Sequence, residues 1–215
     1  MNGKERTDLN AKRKKSLGRP RSSEQKQPTN VIILQTATAL FLKNGFQDVS
    51  IDDVAKECNV TKATVYYYFE SKASLFTEAM VQMMLRIRKY MEAMLVENEP
   101  LRIRLHKVAE AHLKATFDLD LDGFLRETKN SLTKKQFQQI QEAEEKMFDV
   151  LEKAFHNAIE TGEIPKVNPK FAAHSYISLL KVGNYRNPDQ TAIFSSIEET
   201  AEKIIDFFWN GLAAY

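Results

Sequence analysis

The chain contains 215 residues, of which 43% are apolar and 28% are charged, and it has a single cysteine. A single cysteine excludes an internal disulfide, and the longest apolar runs are too short to cross a bilayer. The N-terminus is basic but lacks the apolar segment of a signal peptide, so we expect a cytoplasmic protein with no membrane partner.

Charge is distributed unevenly along the chain. The formal net charge is +2, but residues 1–27 carry nine Lys or Arg against three acidic side chains, a net of +6. The remaining residues therefore sum to −4. A basic arm on an acidic body is the electrostatic pattern of a protein that binds a polyanion. Because residues 1–27 have few apolar side chains and no periodicity, we predict that this arm is disordered.

A short motif within the arm points to one kind of polyanion. Gly18-Arg19-Pro20-Arg21 resembles the core of an AT-hook, in which an extended Arg-Pro-Arg lies in the narrow minor groove of A·T-rich DNA. Arg19, Pro20 and Arg21 are therefore candidate minor-groove contacts. The alternative is a solvated basic tail that adds solubility and non-specific attraction.

Two helices are predicted directly after the arm. The first spans residues 30–44, and Gly45 ends it as a C-terminal cap. Its apolar stripe comprises Val31, Leu34, Ala37, Thr38, Phe41 and Leu42. Ser50 can cap the second helix, at about 51–58, and Asp53 stands three residues later as its capping-box partner.

A tight turn separates the second helix from a third. Asn59 lies where the chain must turn, and Asn tolerates the left-handed conformation better than bulky residues do. Thr61 can cap the third helix, residues 62–68, and Val65 points back toward the second helix. The outward-facing polar side chains are Lys62, Thr64 and Tyr68. This layout predicts a helix-turn-helix that reads the major groove of DNA.

The span Ile33 to Phe76 resembles the DNA-binding domain of the TetR family of bacterial transcriptional regulators. The matching features are Gly45-Phe46 at the end of the first helix, Ser50 before the second, Tyr66-Tyr67-Tyr68-Phe69 at the end of the third, and Lys72 at the start of a long connecting helix. Two positions depart from the family, which often has Gly in the turn and His before the final Phe. This chain has Asn59 and Tyr68 there.

The resemblance implies how DNA would be contacted. The residues implied to face base edges are Lys62, Ala63, Thr64 and Tyr68. Those implied to hold phosphates are Ser50, Tyr66, Tyr67 and Lys72. A Lys can donate to guanine acceptors, and Thr and Ala methyl groups can contact thymine. Because residues 28–72 have a net charge of −1, we expect the arm 1–27 to supply much of the affinity.

The rest of the chain, residues 73–215, reads as helical throughout. A long helix begins near Ser71, which can cap it, and Pro100 breaks the pattern. Further helices are predicted at 101–117, 123–130, 133–161, 169–182 and 189–213, with Thr133 as a cap. The predicted fold is therefore all-α with about nine helices. It comprises the arm, a DNA-binding domain at 28–72 and a helical effector-binding and dimerisation domain at 73–215.

The resemblance implies that the last two helices pair with a second copy of the chain and that the interior binds a small molecule. The candidate dimer residues are Phe171, Ser175, Leu179, Ile197, Ala201, Ile204 and Phe208. The candidate pocket residues are Met84, Met91, His112, Phe117, Phe124, Arg126, Phe148 and Tyr176. Met adapts to varied apolar shapes, which favours a mainly apolar ligand, but the same residues could also be ordinary core.

The sequence contains no pattern typical of an enzyme. The four His do not form a zinc motif, and no phosphate-binding loop or nucleophile elbow is present. We therefore predict no catalytic residue, no metal and no cofactor. The predicted function is a homodimeric repressor of a palindromic operator that a small ligand releases. The alternatives are a ligand-independent activator or architectural DNA binder that uses its arm in A·T-rich minor groove, and an adaptor that binds proteins.

Overall fold

The computed structural model describes residues 27–116 and 128–213. These residues form eight α-helices and one 3-10 turn, with no strand beyond a single isolated bridge between Arg186 and Ala192. The helices are α1 (Thr29–Asn44), α2 (Ile51–Glu57), α3 (Lys62–Tyr68), α4 (Lys72–Leu95), α5 (Leu101–Thr116), α6 (Lys134–Glu160), α7 (Pro169–Val182) and α8 (Ile197–Ala213), and the 3-10 turn is Lys129–Ser131. The predicted all-α class is confirmed. None of these helices is long and apolar enough to span a bilayer.

Several predicted sites lie outside the described residues. These are the arm up to residue 26, including Arg19, Pro20 and Arg21, and the pocket candidates Phe117, Phe124 and Arg126. The predicted helix at 123–130 lies largely outside them as well, and only its end coincides with the 3-10 turn.

The predicted helix caps are present. Ser50 and Asp53 form a capping box, in which the Asp53 N–H donates to Ser50 Oγ at 3.1 Å and the Ser50 N–H donates to Asp53 Oδ2 at 2.8 Å. Ser71 accepts from the Ser74 N–H at the start of α4, and Thr133 forms a capping box at the start of α6. Each cap satisfies backbone donors that a helix start leaves without partners.

The prediction that the last helix begins at 189 was wrong, because α8 begins at Ile197. Asp189 Oδ1 accepts from both the N–H and the hydroxyl of Thr191, which holds this segment in a turn. The helix start is set instead by Ser196, whose Oγ accepts from the Glu199 N–H at 3.1 Å. Side-chain bonds of this kind compete with helix formation before the cap and promote it after.

An aromatic cluster fills the N-terminal core. The rings of Phe41, Phe46 and Phe76 contact one another with centroids 5.0–5.8 Å apart. Val54 and Val65 are fully buried beside them and join α2 to α3. The first half of α4 packs on this cluster, so the helix that leaves the domain is also part of its core.

The second domain is attached to the N-terminal core by α6. Ile140 and Ala143 of α6 are buried in that core, and Gln47 donates to Ser131 Oγ at 2.9 Å across the same boundary. The remainder of α6 packs with α5, α7 and α8 around a second core. Within it, Gly183 allows α7 and α5 to approach closely, because a Cβ there would stand 2.6 Å from Leu113 Cδ2.

Candidate DNA interface and apolar cavity

The geometry of the helix-turn-helix follows from its turn. Asn59 has φ 54°, the left-handed conformation that the sequence predicted at this position. Thr61 then caps α3 by accepting from the Thr64 N–H at 3.1 Å. With Val65 held in the core, the opposite side of α3 is turned to solvent. The third helix therefore presents one face outward on a rigid base.

The predicted base-reading residues lie on that outer face. Lys62, Ala63 and Tyr68 are exposed, whereas Thr64 is half-buried, and its hydroxyl lies 2.8 Å from Thr61 Oγ1. The Lys62 Nζ stands 2.6 Å from Asp52 Oδ2 of α2. Asp52 raises the pKa of Lys62 by hydrogen bonding to it and by charge. Lys62, a predicted base-reading residue, is thus held in an ion pair with Asp52, which the sequence did not predict.

The predicted phosphate contacts fall into two groups. Tyr66 and Tyr67 are open to solvent, and Tyr67 is 82% exposed. Ser50 and Lys72 are already engaged within the chain. The Ser50 hydroxyl donates to Asp53 Oδ2 at 2.6 Å, and Lys72 Nζ donates to the Gln47 carbonyl at 3.0 Å while lying 4.5 Å above the Phe46 ring. Burial lowers the pKa of Lys72.

A cavity of about 490 Å³ lies between α4, α5, α6 and α7 in the second domain. Its wall includes all six methionines that follow Met1, namely Met80, Met83, Met84, Met91, Met94 and Met147. Four are carried on one face of α4 between positions 80 and 91, which is why they converge on the same space. The volume is that of a small-molecule site.

Few polar side chains interrupt this apolar wall. They are Tyr90, Glu97, His112, Thr116, Glu144 and Lys181. Burial, and secondarily the charge of Lys181, lowers the pKa of His112 to about 4, so its imidazole is neutral at pH 7. The Phe148 ring, also on the wall, stacks on His174 with centroids 4.2 Å apart.

Four of the predicted pocket residues line the cavity and one does not. Met84, Met91, His112 and Phe148 are on the wall. Tyr176 is fully buried in the second core instead, where its hydroxyl donates to the Leu105 carbonyl at 2.6 Å. Sequence reasoning missed Glu144 and Lys181, because charged residues on helices of mixed composition look like ordinary surface residues.

The predicted dimer residues are also split. Ala201, Ile204 and Phe208 are buried in the chain's own core, so these three are not available to a partner. Ser175, Leu179 and Ile197 are half-buried, and Phe171 is 58% exposed. The exposed apolar residue of α8 is Phe207, at 72%, directly before the residue that was predicted. The periodicity of α8 identified its apolar face but not which part of it faces the core.

Within residues 27–116 and 128–213, no group of three or more His, Cys, Asp or Glu side chains is arranged to hold a metal ion. Cys58 is half-buried against the N-terminal core.

Comparison with known proteins identifies the N-terminal domain. Residues 33–79 match the family model described as bacterial regulatory proteins, tetR family. The HTH-type transcriptional regulator YhgD of Bacillus subtilis (strain 168) is 25% identical over 150 residues, which make up 69% of this chain and 78% of YhgD. IcaR, the negative transcriptional regulator of the biofilm operon icaADBC in Staphylococcus aureus (strain Newman), is 38% identical over 47 residues, 22% of this chain and 25% of IcaR.

The fold likeness extends beyond that domain. The transcriptional regulator FadR from Bacillus subtilis, solved in complex with stearoyl-CoA, superposes with a TM-score of 0.69 over 84% of this chain and 98% of FadR, at 18% identity. At that identity the likeness concerns the fold alone. The helix-turn-helix geometry and the family match agree: residues 33–79 form a DNA-binding domain of the tetR family of bacterial regulatory proteins.

Proposed function

We propose that this regulator is a cytoplasmic repressor without catalytic activity, which binds a palindromic operator as a homodimer and leaves it when a small, mainly apolar ligand occupies the cavity. One observation carries this proposal: Met80 and Met84 belong both to the wall of the cavity and to the core of the DNA-binding domain. A ligand that displaces either side chain therefore changes the packing of the DNA-binding domain.

The part of the proposal that concerns sequence-specific DNA binding rests on α3. Lys62, Ala63, Thr64 and Tyr68 would face base edges, and Tyr66 and Tyr67 would hold the phosphates on either side. Ser50 and Lys72 would contact phosphates only by exchanging their present partners. Base contacts specify sequence, whereas phosphate contacts set register.

The proposed coupling between ligand binding and DNA binding rests on the two helices that cross the boundary between the domains. On α4, Met80 and Met84 face both regions. On α6, Ala143 is buried in the N-terminal core while Glu144 and Met147 line the cavity. Ligand binding would lower operator affinity by the difference between its affinities for the DNA-bound and unbound arrangements.

The proposed dimer rests on apolar side chains that are exposed on the last two helices. Phe171 on α7 and Phe207 on α8 are large, apolar and mostly exposed, and Leu179 is half-buried. A two-fold axis through this surface would bury them and is the commonest way to close such a contact.

Selection of bound duplexes from a random DNA pool with the full-length protein tests the proposal. We expect an inverted repeat with half-sites about one helical turn apart, as two-fold related reading helices require. Light scattering on the same sample should give the mass of two chains, and Phe207→Ser should reduce it to one. Enriched sites without symmetry, or a monomer that binds as tightly, would contradict the homodimeric reading.

A second candidate is a ligand-independent binder whose arm dominates. The observation that favours it is charge: residues 28–72 sum to −1, whereas residues 1–27 sum to +6. Comparing the full chain with residues 28–215 at several salt concentrations separates the two. Loss of most affinity, and a salt slope smaller by about one unit per lost phosphate contact, would assign the affinity to the arm. Enrichment of A·T-rich DNA without a palindrome would favour this candidate over the first.

A further inference from the structure

We propose that the cavity takes a lipophilic organic cation, that is, an apolar body carrying one ammonium group. The inference rests on the proposed ligand-controlled function and specifies the chemical class of the ligand. It comes from the hydrogen-bonding state of the polar side chains on the wall.

Glu144 is the centre of the inference. It is half-buried on α6 and lines the cavity, and among the described residues it has no hydrogen bond and no ion pair. Its neighbours on the same helix differ: Glu142 accepts from Gln138 Nε2 at 2.9 Å, and Glu145 lies 3.5 Å from Lys170 Nζ. A cationic ligand bound in the cavity would supply the partner that this carboxylate lacks.

The other charged groups of the wall are already engaged. Glu97 is paired with Lys107 Nζ at 2.5 Å. Lys181 is exposed on α7 and is not without a partner. His112 is neutral and offers one donor and one acceptor nitrogen but no positive charge. Within the described wall, Glu144 is therefore the charged side chain whose charge no partner compensates.

The remainder of the wall suits an apolar body of variable shape. Thioethers are polarizable and their side chains are flexible, so six of them can repack around different ligands. Tyr90 is 65% exposed and the Phe148 ring forms part of the wall, and aromatic faces of this kind attract cations. An anionic ligand would instead face an unpaired carboxylate, and like charges in a partly desolvated site repel each other. A fatty-acid-like ligand is therefore disfavoured, although one fold neighbour was solved with stearoyl-CoA.

Three probes with the same ten-carbon chain test the inference: decyltrimethylammonium, decanol and decanoate, each below its micelle concentration. Calorimetric titration into the full-length protein should show decyltrimethylammonium binding at least about tenfold more tightly than decanoate, with decanol between them. Glu144→Gln should bring the cation to the affinity of decanol. Glu142→Gln is the matched control, because it removes a charge from the same helix outside the wall, and it should leave the order unchanged.

Three results would overturn the inference: decanoate binding as tightly as the cation, an unchanged cation affinity in Glu144→Gln, or no binding of any probe. A release assay on the selected operator separates this failure from that of the proposed function. If decanoate or decanol releases the operator and the cation does not, the proposal of a ligand-released repressor stands and the proposal of a cationic ligand fails. If no operator is enriched, the repressor proposal fails, while the titrations still decide the chemistry of the cavity.

Discussion

The surroundings of α3 and the wall of the cavity are built in opposite ways. Around α3, hydrogen bonds join residues three positions apart, and three interlocking rings fill the core beneath. Around the cavity, unbranched methionine side chains from α4 and α6 meet across an unfilled space. The first arrangement holds side chains in fixed positions, and the second lets them move.

The difference teaches where a ligand signal can enter. A tightly packed core transmits displacement because it cannot absorb it, whereas a methionine wall absorbs changes of shape. Met80 and Met84 stand where the two arrangements meet. The following predictions test whether the two regions differ as described, beginning with the largest effect.

Phe76→Ala should lower the free energy of unfolding by about 3–5 kcal/mol, because it leaves a cavity in a closely packed aromatic core. Met94→Ala, on the half-buried wall, should cost about 1–2 kcal/mol, because the space beside it is already open. Urea unfolding of both variants measures the comparison. Equal losses of unfolding free energy in the two variants would mean that the cavity wall is packed as tightly as the core of the DNA-binding domain.

His112 should make the second domain sensitive to acid. Its pKa lies at about 4 in the folded chain against an ordinary value of 6.5, so between these values the unfolded chain binds more protons. Stability should therefore fall as the pH drops from 7 to 5, by about 2 kcal/mol more than in His112→Gln. Urea unfolding at both pH values checks this, and parallel losses in the two proteins would contradict it.

Thr61→Ala should cost about 1 kcal/mol through loss of the cap on α3 and should also weaken operator binding, because α3 carries the proposed base-reading residues. Thr133→Ala removes an equivalent cap from α6 and serves as the control. It should cost a similar free energy and leave DNA affinity unchanged. Thermal unfolding and fluorescence anisotropy with labelled operator measure both quantities. If Thr133→Ala weakens DNA binding as much as Thr61→Ala does, the effect of Thr61→Ala on affinity does not come from the cap on α3.

Asp52→Asn should have the smallest effect on stability, because an exposed ion pair contributes little. Its effect on DNA should be larger. Removing this negative charge beside Lys62 should tighten binding to random DNA by a few fold and reduce discrimination for the operator, since Lys62 is no longer held in one position. Glu57→Gln removes a charge from the same helix away from Lys62. An equal change in the two variants would show that only net charge matters.

The helix caps and the turn of the helix-turn-helix could be predicted from the sequence because the residues that determine them are close together in the chain. Ser50, Thr61 and Asn59 act within three or four residues of themselves, so their spacing is enough to define the caps and the turn. The predicted helix at 169–182 also has the bounds of α7, which Asn168 caps and in which Pro169 is the first residue. The prediction failed at α8, because Ser195 and Ser196 followed by Glu199 form a start signal that apolar periodicity does not show.

The cavity and the dimer surface could be predicted only in part. Met84, Met91, His112 and Phe148 were identified by residue type, but the same reasoning placed Tyr176 on the cavity wall and Phe208 in the dimer interface, whereas both are buried in the second core. Which side of a helix meets the core depends on how four helices pack, and residue type does not encode that. The lack of a partner for Glu144 is likewise visible only in three dimensions.

The concentration of methionines in one place gives the protein a built-in set of spectroscopic probes. Every methionine except Met1 lies on the cavity wall, so labelling methionine methyl groups with carbon-13 would place each internal NMR signal there. Signals from Met91, Met94 and Met147 would report occupancy. Those from Met80 and Met84 would also report on the reader, so a titration could time the arrival of a ligand against the response of the DNA-binding domain.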